Sequence, residues 1–395
     1  MLYKMYNTKC ILKTSSMQHE TDKNPFIINT YQGKEYFCDR EHNLESLINN
    51  IKSELNTTLI SIRRIGKTGL IKHLFQHLEE TYNYKCLFVD LFATQNLNEF
   101  ANQLANEITK KFPNKESIGK RFINNIKQLR PLIQFDALTG EPSISFDALK
   151  QNEIPKTIQQ LLLFLEQQNI PIVIAFDEFQ QINEYPEKNT EALLRTIIQE
   201  VKNLRFIFSG SKKHILTEIF GNSKRPFYAS TQVEYLDFIP SDKYKAFIKN
   251  HFSKNNKTIQ DQDIDFILNW TNHHTYFVQV VCNRLYATGK RKIKLNDIQQ
   301  TCYKILKDQE VFFYQYRSLL SMQQWNVLKA ISKEEKVYQV TGKEFLTKHK
   351  FSNASAVKRC VDSLLEKEMI YQESDENGTF LRTYDVFLQK WFLNK

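Results

Sequence analysis

Chemistry concentrates first in the segment Ser61-Ile-Arg-Arg-Ile-Gly66-Lys67-Thr68, which follows the apolar Leu59-Ile60 and opens an amphipathic stretch running to Glu80. A loop between a strand and a helix turns its backbone amides toward an anion held at the helix N-terminus. Lys67 would then reach the β- and γ-phosphates of a nucleotide, and the Thr68 hydroxyl would hold Mg2+. The phosphate cradle is expected to comprise Ser61, Arg63, Arg64, Ile65, Gly66, Lys67, Thr68 and Gly69. A Gly-Lys-Thr tripeptide alone is a weak sign; its place between strand and helix gives it weight.

A second cluster closes the apolar run Ile170-Pro-Ile-Val-Ile-Ala-Phe176: the carboxylates Asp177 and Glu178. Carboxylates at the end of a buried strand are poorly solvated unless they orient a metal ion or accept hydrogen bonds. Asp177 is placed to hold Mg2+ through water, and Glu178 to orient and deprotonate an attacking water. The competing reading makes both of them caps of the following helix at its positive end. A third polar point, Ser209-Gly210-Ser211, ends the run Leu204-Arg-Phe-Ile-Phe208. Ser209 suits a position between the carboxylates and a γ-phosphate, while Ser211 serves equally well as a helix N-cap. Lys67, Asp177, Glu178 and Ser209 are thus the catalytic candidates, with Thr68 and Asp177 on the metal.

These residues need a scaffold that brings strand ends together. Short apolar runs at 59–62, 86–90, 170–176 and 204–209 alternate with helical periods such as Leu97 to Phe112. That is the pattern of βαβ units, an α/β fold with a parallel sheet flanked by helices. Residues 113–155 break the rhythm and read as an insertion. Beyond Pro240 helices replace strands. From Ser318 three helical periods (322–331, 342–349, 354–368) precede two short apolar segments about the turn Asp375-Glu-Asn-Gly378, the layout of a winged helix. The expected organisation is a polar tail (1–24), a P-loop α/β domain (25–239), an all-α lid (240–317) and a winged-helix domain (318–395).

A net charge of +10 over 395 residues, with 41% hydrophobic and 25% charged residues, describes an ordinary globular chain and excludes a disordered or collagen-like one. No apolar run approaches the ~20 residues of a membrane helix, and the first residues lack a secretory core. Six cysteines (Cys10, Cys38, Cys86, Cys282, Cys302, Cys360) without a CxxC pair point to a reducing compartment rather than to zinc or disulfides. A soluble, cytoplasmic protein with no membrane partner is expected.

Together, Tyr36-Phe-Cys-Asp-Arg40-Glu41, Arg63-Arg-Ile-Gly-Lys-Thr68, Phe176-Asp-Glu-Phe179, Ser209-Gly-Ser211, Arg225-Pro-Phe-Tyr228 and His274-Thr-Tyr-Phe-Val-Gln279 resemble the AAA+/STAND-type P-loop ATPases of bacteria and archaea. The resemblance runs from Asn24 to the end of the chain. It implies an ATP-binding, Mg2+-dependent ATPase that holds nucleotide between the α/β core and the lid, with hydrolysis repositioning the winged helix. Three departures stand out. Ser61 replaces the usual first glycine of the loop, and His273-His274-Thr275 stand where the lid motif carries Gly and Pro. Ala229-Ser230 stand where many relatives have an arginine facing a neighbouring nucleotide. Arg225 is the nearest replacement and joins the catalytic candidates, with oligomerisation as its corollary.

Double-stranded DNA is a candidate partner through Lys290, Arg291, Lys292 and Lys294, which could neutralise phosphates, and through Lys358 and Arg359 on the third helix of the winged helix. A solvated loop is the plainer account of the first group, and Asp362, Glu366 and Glu368 weaken the basic face of the second. The aromatic run Val311 to Tyr316 is expected to fill a core between lid and winged helix. Two functions stay open. One is a nucleotide-driven switch or motor in a DNA- or defence-related process, working with an effector protein. The other is a winged-helix DNA-binding or protein-docking regulator that holds nucleotide with little turnover.

Overall fold

The computed structural model describes residues 23–113, 116–135, 142–146 and 150–395. The expected tail, Cys10 included, lies outside them apart from its last two residues. Helix α1 (Glu41–Lys52) leads into β1 (Thr57–Ile60), α2 (Lys67–Tyr82), β2 (Lys85–Asp90) and α3 (Leu97–Lys111). The stretch that breaks the rhythm forms α4 (Ser117–Ile126) and an antiparallel pair, β3 (Leu132–Phe135) and β4 (Pro142–Ser145). After α5 (Ile154–Glu166) come β5 (Ile172–Asp177), α6 (Thr190–Glu200), β6 (Leu204–Gly210), α7 (Lys213–Gly221) and β7 (Gln232–Tyr235).

The main sheet is parallel, in the order β2-β5-β6-β1-β7. Strand β5 is buried at every position because helices cover both faces. Ile172, Ile174 and Phe176 join one core with Phe206 and Phe208, while Val173 and Ala175 join the opposite core with Leu70, Leu74 and Ile207. Each of these side chains larger than alanine contributes about 1.5–3 kcal/mol by leaving water. A one-residue slip would exchange the two sets, so the register is strongly specified. That register decides what meets at the carboxyl edge. Asp90 lies opposite Asp177 and Phe176 opposite Phe208, which brings Ser209 beside Asp177. Ile60 lies opposite Gly210, which delivers the loop after β1 to the same edge.

The lid consists of α8 (Ser241–Lys254), α9 (Asp261–Trp270), α10 (Thr275–Ala287) and α11 (Leu295–Leu319). The winged helix follows as α12 (Met322–Glu334), α13 (Lys343–Lys348), α14 (Ala354–Glu366), the antiparallel pair β8 (Ile370–Asp375) and β9 (Gly378–Thr383), and a terminal α15 (Val386–Leu393). Helix α11 runs unbroken across the boundary expected at residue 317. Lid and winged helix share one continuous core, joined by Phe277 against Phe387 and Phe313 against Trp391, with ring centroids 4.7 and 5.5 Å apart. Of the run 311–316, Phe313 enters this core and Tyr316 lies against it, but Val311, Phe312 and Tyr314 are exposed. No described helix is long and apolar enough to cross a membrane.

Candidate active site

The loop after β1 turns through two left-handed residues, Arg64 (φ 59°) and Gly66 (φ 105°). Alternating hand along a short segment turns successive N–H groups inward, as an anion cradle requires. A φ near 105° lies beyond the region open to a residue with Cβ, so position 66 demands glycine. Ser61 meets no such demand. Its backbone is not left-handed, and its hydroxyl donates to the Ile62 carbonyl at 3.0 Å. The serine therefore replaces the usual glycine without backbone strain.

Lys67, at the first position of α2, is 6% exposed. Burial pulls its ammonium below the ordinary lysine range, against the opposing pull of Glu178 and Asp177. The Thr68 hydroxyl donates to Asp177 Oδ2 at 2.8 Å, and the Ser209 hydroxyl to Asp177 Oδ1 at 2.6 Å. Thr68, Asp177 and Ser209 thus form one connected set. Its oxygens suit a hard cation such as Mg2+, which when bound supplies charge neutralisation at the phosphate oxygens; Thr68 and Asp177 would hold it.

Glu178 takes a left-handed backbone (φ 53°), a conformation that costs a non-glycine residue about 1–3 kcal/mol. Its Oε2 accepts from the Ser211 hydroxyl at 2.9 Å, from the Ser211 N–H at 3.2 Å, and from Gln180 Nε2. Burial would raise this carboxyl, but Lys67 and the Gln180 and Ser211 hydrogen bonds outweigh it and hold the group below the usual glutamate range. The capping alternatives are not realised. Glu178 precedes a short 3-10 turn without a side-chain cap bond, and the N-cap of α7 is Lys212, which leaves Ser211 on Glu178. Gly210 makes this possible, since a Cβ there would fall 1.9 Å from Gln180 Oε1.

A cleft of about 430 Å³ runs from this edge to the lid. Residues 63–69 and Glu178 line one end; residues 27–32, Tyr36, Phe37, Cys38, Arg40, Ile239 and, from α10, Thr275, Tyr276 and Gln279 line the rest. Arg40, buried and left-handed (φ 83°), donates to the Ile65 carbonyl at 3.4 Å and fixes the back of the loop.

Both loop arginines face the C-terminal half of the chain. The Arg63 N–H donates to the Tyr384 hydroxyl, and its guanidinium pairs with Glu368 at 2.9 Å. The Arg64 guanidinium lies 4.5 Å from the Tyr276 ring centroid. His274 Nε2 donates to the Arg63 carbonyl at 3.1 Å, so the proton sits on Nε2 and the bare Nδ1 has no partner. Burial lowers this imidazole to about 4. Glu368, Tyr384, Gln180 and Arg40 escaped the sequence reading as site residues; Arg40 alone carried a signal, as part of a family marker.

Arg225 is spent locally. Its guanidinium holds Glu191 with two nitrogens, Glu218 at 3.3 Å and Asn183 at 3.1 Å. Among the basic candidates, Arg291, Lys292, Lys294, Lys358 and Arg359 are exposed, while Lys290 is paired with Asp297.

A family model described as an ATPase domain predominantly from Archaea matches residues 37–280, and one described as a probable winged helix domain matches residues 311–394. No curated protein matches the sequence. Among solved structures, the chain is similar to a Walker-type ATPase of Pyrococcus abyssi at 17% identity, with a TM-score of 0.64 over 93% of this chain and 99% of that one. It is also similar to the ORC2 protein of Aeropyrum pernix, solved in ADPNP–ADP complexes, at 14% identity and TM-score 0.59 over 95% and 97% of the two chains. The ORC1 protein of the same organism, solved in complex with DNA, follows at 12% identity and TM-score 0.52 over 94% and 96%. At these identities the likeness is one of fold.

Proposed function

The chain belongs to the ATPase family found predominantly in Archaea, and on that premise we propose that it is a Mg2+-dependent ATP hydrolase whose winged helix is repositioned by the nucleotide state. The observation that carries this reading is that Lys67, Thr68 and Glu178 line one end of a single cleft, with Thr68 bonded to the buried Asp177 and Asp177 to the buried Ser209 directly behind them. In this reading Lys67 neutralises the transferred phosphoryl group and Glu178 orients and deprotonates water. Arg63 and Arg64 connect the loop to Glu368, Tyr384 and Tyr276, so a nucleotide that draws the loop inward works against the winged helix. The division into α/β domain, lid and winged helix at about residues 239 and 317 is part of the proposal. Arg225 could serve a neighbouring copy only after leaving Glu191.

Double-stranded DNA is the partner we favour, on the exposed Arg291, Lys292, Lys294, Lys358 and Arg359 and on the likeness in fold to a protein solved with DNA. A second reading, a regulator that turns over slowly, is favoured by the Glu178 carboxylate being tied to Gln180 and Ser211. The deciding experiment is the rate of phosphate release with and without double-stranded DNA. A rate raised by DNA supports the switch. A rate indistinguishable from that of Lys67→Ala in both conditions supports the slow regulator.

A further inference from the structure

One side chain beside Glu178 is held in place at a cost. Gln180 is 5% exposed and sits in the short turn after β5. Its Nε2 donates to Glu178 Oε2. An ionised carboxylate only accepts, so the contact requires the NH2 side of the amide and settles its sense. Gln180 Oε1 is thereby turned against Gly210, where it has no donor. A buried acceptor without a partner is rare and unfavourable, and an apolar side chain of the same length would avoid it. The left-handed backbone of Glu178 is a second cost at the same contact. Costs of both kinds gather where a side chain must be aimed.

What is aimed follows from which oxygen is taken. Glu178 Oε2 receives Gln180 Nε2, the Ser211 hydroxyl at 2.9 Å and the Ser211 N–H at 3.2 Å. Three donors leave that oxygen no lone pair for a water. Glu178 Oε1 accepts from none of them, and Glu178 is the member of the group that lines the cleft; Gln180 and Ser211 are buried and do not line it. The donors also come from two sides, the turn after β5 and the residue that follows β6. Ser211 alone would let the carboxylate swing about its last bond; Gln180 from the other side stops it.

We propose that Gln180 is a positioning residue for ATP hydrolysis, pinning Glu178 through Oε2 so that Oε1 is the oxygen that takes the proton of the attacking water. In that step the water proton passes to Oε1 and the water oxygen bonds the γ-phosphorus. The bond from that phosphorus to the bridging oxygen breaks, its electron pair leaving on ADP. The tie between Gln180 and Glu178 is then an aiming device and not a brake. The inference rests on the hydrolase reading above and adds to it the residue that aims the base.

The test is steady-state ATP hydrolysis, with ADP calorimetry alongside, on the full chain as parent, Gln180→Met, Glu178→Gln and the double variant. Gln180→Met keeps the length of the side chain and discards both polar atoms. It should lower kcat about tenfold or more and leave ADP affinity unchanged. In the Glu178→Gln background the same change should have no further effect, because the amide acts only through that carboxylate. A merely structural amide would lower kcat by the same factor in both backgrounds, which overturns the proposal. A kcat equal to the parent's overturns it, and so does a raised kcat, which makes the tie a brake. If Gln180→Met does not fold, Gln180→Glu, which has the parent's shape and no NH2, decides by the same comparison of kcat with the parent. A parent that binds ADP but does not hydrolyse ATP overturns the hydrolase reading and this inference together. Turnover abolished by Glu178→Gln and untouched by Gln180→Met overturns this inference alone.

Discussion

The backbone N–H of Arg63, inside the phosphate loop, donates to the hydroxyl of Tyr384, 321 residues further along the chain at the end of the winged-helix hairpin. The Arg63 guanidinium adds the ion pair with Glu368. Because the side chains of this pair are 40% and 22% exposed, the ion pair is screened and contributes no more than about 1 kcal/mol. The double variant Tyr384→Phe, Glu368→Gln should bind ADP about fivefold more tightly, since the loop no longer has to be freed from the winged helix. Equal or weaker binding by calorimetry would make the contact a passive part of the scaffold.

Lys67 and Glu178 should separate binding from turnover. Lys67→Ala is expected to fold normally and lose ATP binding, because the cradle is left without its buried cation. Glu178→Gln should keep ATP affinity and lose turnover by ~10²-fold or more, the range of a general-base effect. ATP affinity unchanged in the first variant removes the loop from the site. Hydrolysis unchanged in the second leaves Glu178 with a structural role only.

His274 gives the folded protein an acid sensitivity of known sign. In the unfolded chain its imidazole takes up a proton near 6.5, but burial beside the Arg63 carbonyl delays this to about 4. The unfolded state therefore binds more protons between those values, and stability is lost as pH falls through that window, up to about 3 kcal/mol. Above 6.5 the contribution is constant. His274→Gln, which keeps a donor without titrating, should flatten the fall in Tm between pH 6.5 and 4. Parallel Tm curves for parent and variant would show that the imidazole is not the titrating group.

Electrostatics sets the size of any DNA effect. Lys290 is already paired with Asp297, so Arg291, Lys292 and Lys294 carry the loop's free charge and predict a log–log salt slope of about −2.7. Alanine at all four positions should flatten that slope and weaken binding alike across sequences. Loss of Lys358 and Arg359 should instead alter sequence preference. Absence of binding by the parent at about 50 mM salt would end the DNA reading.

Where a local pattern carries the physics, the sequence was readable. Leu59-Ile60 ahead of Gly66-Lys67-Thr68, and an unbroken apolar run ending in Asp177-Glu178, express burial on two faces and a polar edge in residues adjacent along the chain. The hairpin about Asn377-Gly378 was legible for the same reason, since Gly378 adopts φ 116°. What could not be read is what folding brings together from afar. Nothing near Tyr384 or Glu368 points to Arg63, and the amide of Gln180 gains its role only because Gly210, on a neighbouring strand, leaves it room. The solvent-facing half of Val311 to Tyr316 went unforeseen because an aromatic run fills a helix from all sides while the core takes one.

The unbroken α11 gives the molecule a mechanical character. With 25 residues it is a beam about 37 Å long, and its two ends are clamped in one core, so lid and winged helix cannot flex against each other without tearing that core open. If nucleotide moves the lid as proposed, the displacement would be carried as rotation of this rigid arm. A tilt of ~10° over that length would move the far end by roughly 6 Å, enough for a small closure around a phosphate to lift the winged helix off the loop it rests on.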